Sequence, residues 1–206
     1  LSVDLKVWGI SATIGNMDDA MDVLFGKNIT HPVFIKAEIE KNIEVISVIP
    51  DEIERFPWAG HLGLKMIDKV LPIIHESKTT LIFTNTRAQC EIWYQKILDV
   101  DPDLAGLIAM HHGSISRELR EWVEDALYDG RLKAVVCTSS LDLGVDFRPV
   151  ETIVQIGSPK GVARFIQRAG RSGHQPGASS KIYFVPTHSL ELIEASALRT
   201  SIKNQQ

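Results

Sequence analysis

The chain has 206 residues, 44% of them hydrophobic and 23% charged, with a formal net charge of −4. This balance fits a globular protein with a real core and excludes a disordered or collagen-like chain. No apolar run approaches the ~18 residues of a membrane-spanning helix, and the net acidity excludes nucleic-acid binding by bulk charge.

The opening LSVDLKVWGIS lacks a starting Met and does not resemble a signal peptide. Residues 5–11 read as a strand already in progress, so the chain is expected to be cut from a longer protein. NMDDAMDVLFG (16–26) carries a helix start, with Asn16 as cap and acids in the first turn. VFIKAEI and IEVISVI read as alternating strands. Pro50, Pro57 and Gly60 mark a boundary. Trp58 inside it reads as packing rather than as a base-stacking platform.

Beyond the boundary an α/β series begins. HLGLKMIDKVLPIIHES is predicted helical, bent or ended by Pro72. TTLIFT is a buried-type strand, and TRAQCEIWYQKILDV an amphipathic helix. AGLIAMHH is a strand; SRELREWVEDALYDG is a helix capped by Ser116 and stopped at Gly130. LKAVVCT and ETIVQIG are strands, VARFIQRAG a helix, SKIYFVP the last strand and LELIEASALRTSIK the last helix. Continuously apolar strands alternating with helices predict an α/β fold, a mostly parallel sheet covered on both faces. Ligands of such sheets bind beyond the carboxyl ends of the strands. Cys90 and Cys137 lack a CxxC spacing and read as reduced, buried thiols of a cytoplasmic protein.

Charge is unevenly spread. From Thr152 to Leu190 there is no acid, yet Lys160, Arg164, Arg168, Arg171 and Lys181 lie there, so the rest of the chain stands at −9. On a helix these first four cations and Gln167 fall within an arc of about 100°, opposite Val162, Phe165, Ile166 and Ala169. One apolar and one cationic face are expected. Like charges four apart repel, so helix stability does not account for the pattern; a surface turned to phosphate does. Gly170 and Gly173 allow a tight exit. A merely solvated basic face is the alternative.

SAT (11–13), LIFTNTR (81–87), HHGSISRELR (111–120), TSSLDLGVDF (138–147) and QRAGRSGH (167–174) occur in this order. Together they resemble motifs III, IV, IVa, V and VI of superfamily 2 helicases. The wording of WGISATIGN, RFPWAGHLG and GSPKGVARFIQRAGRSGH is similar to the Lhr group, in particular the bacterial ligase-associated DExH-box helicases. The resemblance implies two RecA-like lobes that clamp ATP between them and grip a single strand. Residues 1–30 would be the remnant of the first lobe, 31–58 a connection, and 59–206 the second lobe. The chain contains neither GxxxxGK[ST] nor DExH, the parts that hold the phosphates, Mg²⁺ and the water-orienting acid. The missing first lobe would therefore bind most of the ATP and Mg²⁺, and this stretch alone is expected not to hydrolyse ATP.

The resemblance further implies roles. Arg171 would be an arginine finger at the γ-phosphate, such fingers contributing ~10³–10⁵ in rate. Gln167 would sit near the γ-phosphate or attacking water, and Arg168 would brace motif VI or line the cleft. Gly144 and Asp146 would face the nucleotide. His174 stands where many relatives carry another arginine, so a second finger there is in doubt. Thr138 and Ser139 of motif V, Thr84, Asn85, Thr86 and Arg87 of motif IV, and Gly113 and Ser114 would contact the nucleic-acid backbone. For motif IV a plain helix cap is the alternative. Ser11, Ala12 and Thr13 would couple hydrolysis to lobe movement. Asp142 reads as a cap or surface group. His111 and His112 lack the further ligands of a metal site. Expected partners are single-stranded or partly duplex DNA and the other lobe, with a ligase or nuclease as a candidate, and no membrane. An RNA-remodelling helicase and a non-catalytic phosphate-binding module are the competing readings.

Overall fold

The computed structural model describes residues 7–10, 16–26, 33–35, 43–49, 63–142, 150–172 and 180–204. The chain divides into two compact units, Leu1–Glu40 and Lys41–Gln206.

In the first unit, α1 (Met17–Phe25) forms as expected. The Asn16 side chain accepts from the Asp19 amide, and Gly26, at φ 74°, closes the helix by donating to the Asp22 carbonyl. Residues 7–10 form no strand: a strand needs a hydrogen-bonded neighbour, and the described residues offer none. Trp8 and Ile10 are exposed, and Leu24 fills the space that a side chain on Gly9 would need. Val33, Phe34 and Ile35 are exposed and irregular, and the rest of that expected strand lies outside the described residues.

The second unit holds six parallel strands: β1 (Ile43–Ser47), β2 (Thr80–Phe83), β3 (Ile108–His111), β4 (Ala134–Cys137), β5 (Thr152–Ile156) and β6 (Ser180–Val185). Their order is β1-β6-β5-β2-β4-β3. Helices α4 (Arg117–Tyr128), α5 (Val162–Ala169) and α6 (Leu190–Asn204) cover one face, packing Val123, Phe165 and Leu198 on Leu81, Val135, Ile153 and Phe184. Helices α2 (Ile67–Glu76) and α3 (Arg87–Val100) cover the other, with Ile74, Trp93 and Ile97 on Ile82, Val136 and Val154. Successive strand residues thus serve opposite layers, which is why the central strands β2, β4 and β5 are buried at every position and mostly apolar.

Two elements depart from the sequence reading. β1 is an edge strand of this sheet, in register with β6 from Ile43 opposite Ser180 to Ser47 opposite Phe184, although the sequence assigns it to a connection. Only its pattern of half-buried residues, with Glu44 exposed, distinguishes it from the fully buried β2 and β4. Pro72 neither ends nor interrupts α2. The helix enters through a 3-10 turn at Leu64–Met66, and Asp68, whose carbonyl loses its donor, is exposed, so water can replace the missing bond. Gly130 (φ 71°) does terminate α4, by a Schellman pair in which Gly130 donates to Leu127 and Arg131 to Ala126. Burial pushes the Cys90 thiol up to about 12 and raises Cys137 well above its ordinary value, so both stay protonated.

Candidate functional site

The carboxyl ends of β2, β3 and β4 bring the turns at 84–87, 111–114 and 138–142 to one edge. After β2 the chain turns at Thr84, Asn85 and Thr86 into α3. Thr84 is fully buried; its hydroxyl donates to the Cys137 carbonyl at 3.0 Å, and its amide reaches the same oxygen at 2.8 Å. Thr84 therefore ties β2 to β4, with its hydroxyl turned to the Cys137 carbonyl and away from solvent. Thr86 is the cap of α3, accepting from the Gln89 amide at 3.1 Å, while the Gln89 side chain takes the Asn85 amide at 3.0 Å. Arg87 is exposed and donates to Ser114 Oγ at 3.1 Å, joining this turn to the one after β3.

After β3, His111 and His112 are buried, whereas Gly113 and Ser114 are exposed. His111 bridges Ser140 Oγ at 2.7 Å and Glu124 Oε1 at 3.0 Å. His112 Nδ1 accepts from the Ser114 amide at 3.3 Å, and its Nε2 lies 3.5 Å from Glu91 without forming a hydrogen bond. Burial lowers both histidines below their ordinary value; at His111 it outweighs the opposing pull of Glu124. Both are therefore placed as neutral rings that shape loops. Among the described residues no cluster of three His, Cys, Asp or Glu side chains could hold a metal ion.

After β4, Thr138 donates its amide to the His111 carbonyl at 3.2 Å and remains half-buried, and Ser139 is exposed. Ser139–Leu141 form one 3-10 turn that ends at Asp142. Asp142, read from the sequence as a cap or surface group, is buried. Its carboxylate takes Arg168 Nε at 2.8 Å and Nη2 at 3.3 Å. Arg168 Nη1 donates to Gln155 Oε1 at 2.6 Å, and the guanidinium stacks 4.5 Å from the centre of the Phe83 ring. Arg168 is 1% exposed.

The single cationic face expected of residues 160–171 is thereby corrected. Helix α5 spans only Val162–Ala169, so Lys160 and Arg171 lie outside it. Arg168 points inward beside buried Phe165, and Arg164, at the surface, stands 3.5 Å from the Asp142 carboxylate. Arg168, expected either to brace motif VI or to line the cleft, is buried against Asp142, Gln155 and Phe83. Arg171 is half-buried, and its Nε and Nη2 donate to the Asp142 carbonyl at 3.2 and 2.6 Å. Gln167 is half-buried one turn away. Gly144, Asp146 and His174, and Ser11, Ala12 and Thr13, lie outside the described residues.

Sequence reasoning missed Asp142, Gln155 and Glu191. Glu191 is 3% exposed; its carboxylate takes the Ser158 and Thr187 amides and clamps the turn after β5 to the start of α6. Gly157, at φ 71°, lets Asn85 and Glu191 approach that turn closely. The spacing Thr187 to Glu191, an acid in a first helical turn, was the one available signal.

Residues 64–175 match the model of the helicase conserved C-terminal domain. The chain is 34% identical over 215 residues to the ATP-dependent helicase Lhr-Core protein 2 of Thermococcus barophilus, covering 100% of this chain and 24% of that protein. It is 36% identical over 200 residues to the ATP-dependent helicase Lhr-Core of Methanocaldococcus jannaschii, covering 95% and 23%. Among solved structures it resembles the Mycobacterium smegmatis helicase Lhr bound to ssDNA and AMP-PNP, with a TM-score of 0.80 and 29% identity over 94% of this chain and 26% of that one. The chain thus spans about a quarter of the length of these relatives. With its RecA-like parallel sheet, the chain belongs to the helicase conserved C-terminal domain family, within the Lhr type of superfamily 2 helicases.

Proposed function

We propose that this chain is the second lobe of an ATP-dependent DNA helicase or translocase, and that it supplies an arginine to a nucleotide held mainly by another lobe. The observation that carries the reading is Arg171: a half-buried guanidinium, just beyond α5, whose Nε and Nη2 reach the Asp142 carbonyl in the segment after β4. Hydrogen bonds to phosphate oxygens are charge-assisted and roughly twice as strong as neutral ones, so a guanidinium in this position suits a γ-phosphate. The donor set fits one wall of an ATP site. It does not fit the whole of one, because the sequence has no phosphate loop and the described residues include no acidic cluster for Mg²⁺. When bound, ATP and Mg²⁺ would supply the phosphoryl group; Arg171 would neutralise charge developing on it, and Gln167 would lie beside it.

Thr138, Ser139, Arg87, Gly113 and Ser114 would grip the strand backbone, sharing one edge formed by the ends of β2, β3 and β4. Hydroxyls, a flexible arginine and an open glycine contact phosphates without reading sequence. A DNA-repair setting, and a ligase or nuclease partner, belong to the same proposal.

The test uses the full-length protein. Arg171→Ala should lower strand-stimulated ATP turnover by about 10³-fold or more while leaving single-strand affinity within about threefold. Wild-type turnover would remove Arg171 from the site. Thr138→Ala should weaken single-strand binding and leave the KM for ATP nearly constant; the reverse pattern would refute the division between the two residues.

A further inference from the structure

One carboxylate oxygen sits between two donors and bonds fully to neither. Glu91 Oε1 lies 3.7 Å from Arg87 Nε and 3.5 Å from His112 Nε2. We infer that Glu91 holds Arg87 in place of a strand phosphate, and that His112 receives Glu91 when a strand arrives, so that both are positioning residues for the grip of Arg87. The inference rests on the proposed contact of Arg87 and Ser114 with the strand backbone.

The place of the proton on His112 follows from its neighbours. The Ser114 amide donates to Nδ1 at 3.3 Å, so that nitrogen carries no hydrogen. Burial disfavours a second proton on the ring; Glu91 pulls the other way, and Arg87 adds to the lowering. The one proton therefore sits on Nε2. His112 is 4% exposed, and its Nε2 has no hydrogen-bond partner among the described residues. A buried donor left without an acceptor costs more than the finished bond contributes. The Glu91 oxygen completes that bond by moving about half an ångström.

The hold of Glu91 on Arg87 is weak. Arg87 begins α3, and Glu91 follows one turn later. Both side chains are exposed, so water screens the pair. A cation placed before an acid is also the poorer order on a helix, because the first turn favours anions. That first turn favours a phosphate for the same reason. Arg87 Nη1 meanwhile donates to Ser114 Oγ at 3.1 Å, so the guanidinium is already turned toward the loop after β3. A phosphate and a carboxylate offer a guanidinium the same kind of charged oxygen. A phosphate that takes Arg87 frees Glu91, and the freed carboxylate meets the unbonded His112 N–H. The strand gains a contact without leaving an unpaired acid beside it.

The experiment measures the Kd of the full-length protein for a single-stranded DNA oligonucleotide, by fluorescence anisotropy over a range of salt at about pH 8, where the ring is neutral. His112→Asn keeps an acceptor for the Ser114 amide and removes the Nε2 donor. It should weaken binding by about threefold to fivefold, because Glu91 then has no partner but Arg87. Glu91→Gln in that background should restore the parental affinity within about twofold. A His112 that only shapes its loop would leave the double variant as weak as the single one; that result, or parental affinity in His112→Asn, overturns the inference. An equal gain from Glu91→Gln with and without His112 would mean plain charge repulsion, and overturns it too. If His112→Asn does not fold, His112→Phe takes its place with the same outcomes. Arg87→Gln tests the underlying reading separately. It should raise the Kd and lower the salt slope by about 0.7; an unchanged slope would refute the strand contact itself, whatever the other variants give.

Discussion

Removing the Asp142 carboxylate tests the energetics of the buried pair directly. In Asp142→Ala the Arg168 guanidinium keeps its charge at 1% exposure, with Gln155 and the Phe83 ring as its remaining neighbours in the brace. Breaking a buried pair from one side costs about 3–5 kcal/mol, because the other charge is left uncompensated. For a chain of this size that lowers the melting temperature by about 6–20 °C. Arg168→Met should cost less, since Arg164 already stands 3.5 Å from Asp142 and can move in to replace the lost cation. The double variant Asp142→Asn/Arg168→Met should lie within about 2 kcal/mol of the parent, because no buried charge remains. The assay is urea unfolding of the three variants beside the parent, at one pH. A loss below about 1 kcal/mol for Asp142→Ala, or a double variant as damaged as Asp142→Ala, would refute the picture of a desolvated pair.

Two further outcomes follow from the loops. Burial holds His111 and His112 below the ordinary value of 6.5, with Glu124 opposing at His111 and Arg120 adding to the lowering; Glu91 opposes at His112 and Arg87 adds. The unfolded chain then binds more protons than the folded one, so this contribution is present above pH 6.5 and is lost as the pH falls below it toward the folded values. The urea midpoint should drop on acidification through that window and drop less in His111→Asn/His112→Asn; equal slopes would refute the assignment. Gly157→Ala should cost about 1–3 kcal/mol. Its φ is 71°, and the new methyl would stand 3.2 Å from Asn85 Nδ2 and 3.3 Å from Glu191 Oε1. A midpoint shift worth less than about 0.5 kcal/mol would mean that the turn relaxes freely.

Local chemistry was readable from the chain and non-local chemistry was not. The Asn16 and Ser116 caps and the Gly130 stop each depend on residues within one or two turns, and all three form as the sequence implies. The central strands were equally plain, because burial on both faces favours near-continuous apolar runs. Arg168 was misread because its acceptors, Asp142 and Gln155, are 26 and 13 residues distant and reach it only through the strand order. A helical wheel placed it toward the cationic edge, yet its neighbour Phe165 was already on the inner side. Thr84 carried a ligand-binding vocabulary and is used to join two strands. β1 gave no local sign of its neighbour, since its partner strand begins at Ser180.

That pairing of β1 with β6 has a consequence for how the chain is made. During synthesis β1 emerges well before β6, the strand it must lie against. Until then β5 has one bare edge, and the places of Ile182 and Phe184 in the core stand empty. The delay spans a closure on the order of a hundred residues, an entropic debt that only the completed sheet repays. A gene fragment trimmed to the matched stretch at 64–175 would omit both strands, leaving β5 as an unprotected edge. The unit that folds is therefore longer, at both ends, than the unit by which the family is recognised.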